Sequence, residues 1–238
     1  MTIAMTKTVR EIAVEQPRAS RIFENLGIDY CCGGSKALQE ACFAAGIPTE
    51  RVVALLEEAS NDTESETRDW NSAPLSELVA YIVTKHHAFT REQLPWLNQL
   101  LVKVCSHREH HPELRNLEVI FRGLEVELIG HMLKEEHILF PYIEALETAV
   151  ANGETVPTPL FGTVRNPVRM MMQEHDDAGE ALRGLREVSS NYQVPADGCI
   201  TFRMLYQALE EFEKDLHQHI HLENNILFPR AAELEAGA

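Results

Sequence analysis

From residue 74 onward, apolar positions recur at alternating steps of three and four, the mark of helices that bury one stripe each. Four such runs follow one another. They are Ala80, Val83, His87, Thr90, Leu94, Leu97, Leu101 and Val104; then Leu117, Phe121, Leu124, Leu128, His131, Glu135, Ile138 and Tyr142; then Val168, Met171, His175, Ala178, Leu182 and Leu185; and last Phe202, Leu205, Leu209, Phe212, Leu216, His219, Glu223 and Ile226. His111-Pro112 separates the first two runs, and residues 153–163 separate the two pairs. Asn166-Pro167 suits a cap and first turn, Pro195 with Asp197 introduces the fourth run, and Pro95 should kink the first. Short connections within each pair favour antiparallel neighbours, so the pattern predicts a four-helix bundle.

The first sixty residues read differently, as short helices cut by breakers. One starts at Thr8 and is interrupted by Pro17; a second covers 21–26 and stops at Gly27; a third covers 36–45, capped by Ser35 and ended by Gly46; a fourth opens at Pro48 and runs to Glu58. Pieces this short are not stable alone and should pack together as a small domain. Residues 59–73 are polar and acidic, as a linker would be. The expected organisation is all-α: a small helical domain at 1–58, a linker at 59–73 and the bundle at 74–238.

Six seam positions hold His or Glu where Leu or Ile is expected: His87, His131, Glu135, His175, His219 and Glu223. Burying a lone imidazole or carboxylate costs several kcal/mol unless a partner satisfies it, so six at one level need a common cause. Their spacing supplies one. His87, His131, His175 and His219 stand at equal intervals of 44 residues. The segments 131–141 and 219–229 both read His-x-x-x-Glu followed by Ile-Leu-Phe-Pro, at an offset of 88. This implies a duplicated helical hairpin, each half giving one His from its first helix and a His-x-x-x-Glu from its second. Residues at i and i+4 share a helix face, so closing the bundle converges four imidazoles and two carboxylates. Two His per ion with both carboxylates bridging suits two metal ions. Imidazole with carboxylate favours iron, with manganese and zinc as alternatives, and lacks the thiolates of structural zinc sites.

A single His on an apolar seam is more often a satisfied core residue; four in equal register, two with Glu at i+4, reverse that reading. His86, His107, His110, His111, His137, His217 and His221 stand off the seams and read as surface residues. Glu127 and Asp215, four residues before His131 and His219, read either as acceptors for ligand imidazoles or as exposed flanks. Cys31-Cys32-Gly33-Gly34 follows a helix stop, on backbone expected to be flexible and exposed. The two thiols could hold iron in transit, relay electrons or accept a nitrosyl group, or simply pack a small domain. Adjacent cysteines make a strained bridge, and five cysteines at irregular spacing are no disulfide framework. A formal net charge of −16 disfavours nucleic acid as a partner. No apolar run approaches a membrane span or a signal segment, so a cytoplasmic protein without a membrane partner is expected.

On the seam residues, 74–238 resembles the hemerythrin-like superfamily. It departs from the oxygen carriers there, with Gly179 where they have a further histidine and Glu at i+4 of the last ligand pair. With Asp29-Tyr30-Cys31-Cys32-Gly33-Gly34 ahead of such a bundle, and with Glu174-His175-Asp176, the whole chain is similar to the repair-of-iron-centres family. The resemblance implies a protein of nitrosative or oxidative stress that restores damaged iron–sulfur clusters. It implies two non-haem iron ions, oxo- or hydroxo-bridged, on the six seam residues, with Glu174 added to the outer acceptors and Cys31 and Cys32 as the paired cysteines. The partners implied are damaged iron–sulfur proteins, with nitric oxide or oxygen as small ligands; whether the chain dimerises stays open. Two other readings stand beside iron donation: an enzyme reducing nitric oxide at the centre, and a module that senses or stores nitric oxide or oxygen. A ferritin-like oxidase is disfavoured, because that site uses Glu-x-x-His and four glutamates.

Overall fold

Thr8 begins the first helix with a capping box: its hydroxyl accepts from the Glu11 N–H, and Glu11 reaches back to the Thr8 N–H at 2.7 Å. The computed structural model describes residues 7–61, 68–106, 111–156 and 158–237, and these are helical with no strand among them beyond an isolated Thr8–Ala37 bridge. The described chain divides into two compact units, Met1–Pro74 with His217–Arg230, and Leu75–Leu216 with Ala231–Ala238.

In the first unit, α1 (Val9–Glu15), α2 (Ala19–Leu26), α3 (Leu38–Ala44) and α4 (Thr49–Asn61) enclose Ile12, Phe23, Tyr30, Leu38 and Leu56. Gly27 ends α2 in the left-handed conformation, φ 65°, which costs a glycine little. The expected Ser35 cap is not used. Residues 34–38 run instead along α1, with Arg10 N–H on the Gly34 carbonyl at 2.8 Å and Val9 N–H on that of Lys36 at 3.0 Å, so α3 starts only at Leu38. At its other end α4 continues past residue 58 to Asn61.

Four long helices supply the rest: 75–105, 113–152, α9 (Arg165–Val188) and 200–236. The helix is continuous through Pro95. Three of the four contain a π-helical turn: Ile82–His87, Glu135–Leu139 and Glu223–Leu227. A π turn inserts one residue per turn and rotates everything beyond it around the helix axis. This corrects the expected seams at two places. Ala80 is exposed and Val83 only half-buried, while Leu75, Leu78, Val79 and Ile82 are buried. Ile138 is 52% exposed and Leu139 takes its place in the core. In α9, which has no π turn, all six expected positions are buried. None of the helices among the described residues is long and apolar enough to cross a membrane.

The duplication extends to capping, at the same offset of 88. Glu147 accepts from the N–H groups of Leu75 and Ser76, at 2.5 and 2.9 Å, at the start of the first long helix. Its counterpart Glu235 accepts from the Val164 N–H at 2.8 Å and from the Thr163 hydroxyl, ahead of α9, and from Tyr142 Oη at 2.7 Å. At α9 the expected local cap is therefore replaced by a distant carboxylate, and both carboxylates are placed where helix N–H groups lack partners. Asn166 is already inside α9 and donates back to the Phe161 carbonyl.

Burial alone would raise the Glu235 carboxyl, but hydrogen bonds from Thr163, Tyr142 and Val164 outweigh it and hold it below its ordinary value. A lowered folded value means that Glu235 stabilises the protein above the unfolded carboxylate pKa, near 4.3. That stability is lost as pH falls through the folded value. Glu235→Gln should cost about 1 kcal/mol at neutral pH. In urea titrations of variant and wild type, the gap should narrow steadily below about pH 4.

Candidate metal centre

His87 closes the first π turn, while Glu135 and Glu223 each open theirs, so three of the six seam residues sit where the helix is locally unwound. All six are buried, with Glu135 and Glu223 at 0% exposure. They form two overlapping groups. One ligand atom from each of His87, Glu135, His219 and Glu223 lies within 4.8 Å of the others, and the same holds for His131, Glu135, His175 and Glu223. Both carboxylates belong to both groups. Glu135 Oε2 stands 3.3 Å from His87 Nε2 and 3.2 Å from His131 Nε2. His219 Nε2 is 2.9 Å from Glu223 Oε1, and the Nε2 atoms of His131 and His175 approach to 3.0 Å.

The outer side of the site fixes the protonation of two rings. His87 Nδ1 lies 2.6 Å from Glu136 Oε1, and His131 Nδ1 lies 2.9 Å from Glu174 Oε2. A carboxylate only accepts, so the Nδ1 proton of each ring points outward and the Nε2 lone pair is left facing the centre. Arg91 pairs with Glu136 at 2.6 Å, and Lys134 with Glu174. The His131 hydrogen bond lowers the Glu174 carboxyl to about 2, against burial and with help from Lys134. At Glu136 burial pushes up, but His87 and Arg91 together hold it below the usual range. Inward lone pairs on hard-to-borderline nitrogen, with two shared carboxylates, are a donor set that suits two iron-type divalent or trivalent ions. The residues present fit such a pair.

The other expected outer acceptors lie elsewhere. Glu127 is exposed, and Glu174 from the neighbouring helix serves His131 instead. Asp215 binds His86 Nδ1 at 3.0 Å rather than His219. His86 is itself buried, not at the surface, since the π turn carries both His86 and His87 inward. His221 is likewise buried, with Tyr30 5.4 Å away ring to ring; burial and the nearby Arg10 lower its pKa to about 4. His137 is exposed, His111 and His217 are half-buried, and His107 and His110 lie outside the described residues. Glu136 escaped the seam pattern because it faces outward, one residue past Glu135; the run Lys-Glu-Glu beside a ligand pair was the available signal.

Cys31 and Cys32 belong to the first unit. Cys31 is buried rather than exposed, and Cys32 is half-buried. Asp29 Oδ1 gathers both backbone N–H groups, at 3.2 and 3.0 Å, and lies 3.5 Å from Cys31 Sγ. The sulfurs are 3.7 Å apart. The hydrogen bond with Cys32, then burial, then the charges of Cys32 and Asp29 push the Cys31 thiol well up, so it stays protonated at neutral pH. Gly34 is required by space: a Cβ there would fall 2.8 Å from the Tyr30 carbonyl oxygen.

A buried cluster of four imidazoles and two shared carboxylates inside four long helices defines a hemerythrin-type cation-binding bundle. Residues 78–231 match the hemerythrin HHE cation binding domain, and residues 5–60 match ScdA_N, a domain of unknown function (DUF542). Over its length the chain is 38% identical to the iron-sulfur cluster repair protein YtfE of Musicola paradisiaca (strain Ech703), across 97% of this chain and 98% of that one. It is 40% identical to YtfE of Edwardsiella ictaluri (strain 93-146), across 93% and 94%, and 36% identical to YtfE of Escherichia coli O157:H7, across the same shares. The chain belongs to this family of hemerythrin-type iron-sulfur cluster repair proteins.

If Glu136 and Glu174 set the ring tautomers, Glu174→Ala and Glu136→Ala should each weaken metal binding roughly 10–100-fold. Glu127→Ala should leave it unchanged. Competition titration of ferrous iron against a chromophoric chelator reads all three.

Proposed function

We propose that this protein repairs damaged iron–sulfur clusters by donating iron held at the buried centre. The observation that carries the reading is the sharing of Glu135 and Glu223 by both four-residue groups, which suits a bridged pair of ions. His87 with His219 and His131 with His175 would provide the terminal nitrogens of the two positions. When bound, the iron supplies both the cargo for an incomplete cluster and a redox-active centre able to meet nitric oxide or oxygen. The chain's own residues do the rest. Glu136 and Glu174 keep Nδ1 protonated on His87 and His131, and Arg91 and Lys134 neutralise those carboxylates from outside. Protonation of the imidazoles would convert acceptor nitrogens to donors and open the way for the metal to leave.

The proposed role of Cys31 and Cys32 is to receive iron or a nitrosyl group in transit. With Cys31 buried and held protonated, Cys32 is the sulfur that meets an incoming group first. The targets are proteins whose clusters have been stripped by nitrosative or oxidative damage, and the family membership supports that choice.

Metal content per chain tests the centre. Wild type purified without oxygen should hold two irons, and Glu135→Ala with Glu223→Ala should lose most of both; one ion or none, unchanged by the substitutions, would overturn the reading. Mixing loaded protein with a cluster protein lacking one iron tests the transfer. Activity of the recipient should return as iron leaves the donor. The Cys31→Ala, Cys32→Ala pair should slow that return several-fold with metal content intact; an unchanged rate would remove the thiols from the pathway.

A further inference from the structure

The helix face opposite the metal ligands differs sharply between the two halves of the duplication. In the second long helix that face carries Leu133, 48% exposed, and His137, also exposed. The residues at an offset of 88 in the fourth long helix are His221 and Asn225, and both are buried, at 4% and 6% exposure. Their cover lies within the first unit, which groups His217–Arg230 with the N-terminal helices. Glu24 receives His217 Nδ1 at 2.9 Å, and the Tyr30 hydroxyl receives Gln218 Nε2 at 3.2 Å.

The most pointed of these contacts is that of Asn225. Its amide nitrogen donates to the Tyr30 carbonyl at 3.0 Å and to His221 Nδ1 at 2.7 Å. The Tyr30 carbonyl belongs to the peptide bond whose N–H is that of Cys31, and that N–H is held by Asp29. One peptide plane, immediately before the first thiol, is therefore fixed from both edges. Gly34 is needed beside the same carbonyl oxygen. At its other end, Asn225 lies in the π turn Glu223–Leu227, two residues beyond the carboxylate shared by both ligand groups. Residues two apart on a helix project to roughly opposite faces, so a rotation of this turn that moves Glu223 moves Asn225 with it.

We propose that Asn225 is a positioning residue that couples the Tyr30–Cys31 peptide to the metal-binding turn, so that metal occupancy controls access to the Cys31–Cys32 pair. With metal in place Glu223 is held, the turn is fixed and the thiol loop stays packed. Loss of metal frees the turn, weakens the Asn225 clamp and lets the buried Cys31 reach solvent. The coupling rests on the metal centre proposed above, and linkage makes it reciprocal: whatever loosens the loop also speeds metal loss.

The test is the alkylation rate of the Cys31–Cys32 pair by iodoacetamide, followed by peptide mass spectrometry on the full chain, iron-loaded and chelator-stripped. Wild type should react about fivefold or more faster when stripped, the lower end of ordinary coupling. In Asn225→Leu the loaded and stripped rates should converge, and iron loss to a chelator should accelerate by a similar factor. Gly34→Ala, which crowds the same carbonyl from the other side, should have the same effect and serves if Asn225→Leu does not fold. A general loss of stability would raise both rates in each variant while keeping their ratio, and that result would overturn the coupling. So would a wild type that binds iron but alkylates at one rate in both states. A wild type that binds no iron would overturn the proposed function, and the coupling with it.

Discussion

Two carboxylates with no exposed surface, Glu135 and Glu223, placed among four buried imidazoles, are the constraint on which the rest of the structure depends. Charges in such a position are tolerable only where opposite charge reaches them, because the interior offers no water in exchange. The helices must therefore deliver all six side chains to one level, and the spacing of 44 residues between successive histidines does that. The second requirement is orientation. A ring that turned its N–H inward would oppose a cation, and Glu136 and Glu174 prevent this for His87 and His131 by accepting the Nδ1–H hydrogen bond on the far side.

The π turns belong to the same problem. Each of the three includes or opens on a ligand, and a π turn is the cheapest way for a continuous helix to re-aim one side chain without ending. It is also why sequence periodicity went wrong at Ala80, Val83 and Ile138 while holding along all of α9. Periodicity shows which residues want to be buried. It carries no sign of a backbone hydrogen bond that skips to the fifth residue, so the register before His87 and after Glu135 was unreadable. The six seam residues were legible for the opposite reason: a polar group on an apolar stripe is anomalous wherever the stripe itself is sound.

Other differences share one cause. Of the two readings open for Glu127 and Asp215, Glu127 is the exposed flank, the acceptor for His131 comes from α9, and Asp215 turns to His86. Glu147 and Glu235 were invisible as caps because they lie about seventy residues from the N–H groups that they serve. Local rules of capping and of i, i+4 pairing reach one turn; contacts across the bundle need the fold first. Cys31 was misplaced likewise, since Gly33 and Gly34 suggested a loose loop. The glycines instead permit close approach, to Asp29 and to the Tyr30 carbonyl.

The duplication explains why the two halves agree where they do and differ where they differ. Residues facing the centre repeat at an offset of 88, as do the ILFP run and the distant caps, because these face the same physical problem twice. Residues facing outward had no such need, and there the halves part: Glu136 has Asn224 as its counterpart, Leu133 has His221, and His137 has Asn225. On one helix that outer face remains open, and on the other it is polar and buried under the residues around Tyr30. Burying Asn225 leaves its Oδ1 without a hydrogen-bond partner, a cost that an apolar side chain there would avoid. A polar contact kept at a cost, at the peptide before the first cysteine and two residues from a shared carboxylate, is better explained by what it connects than by what it stabilises.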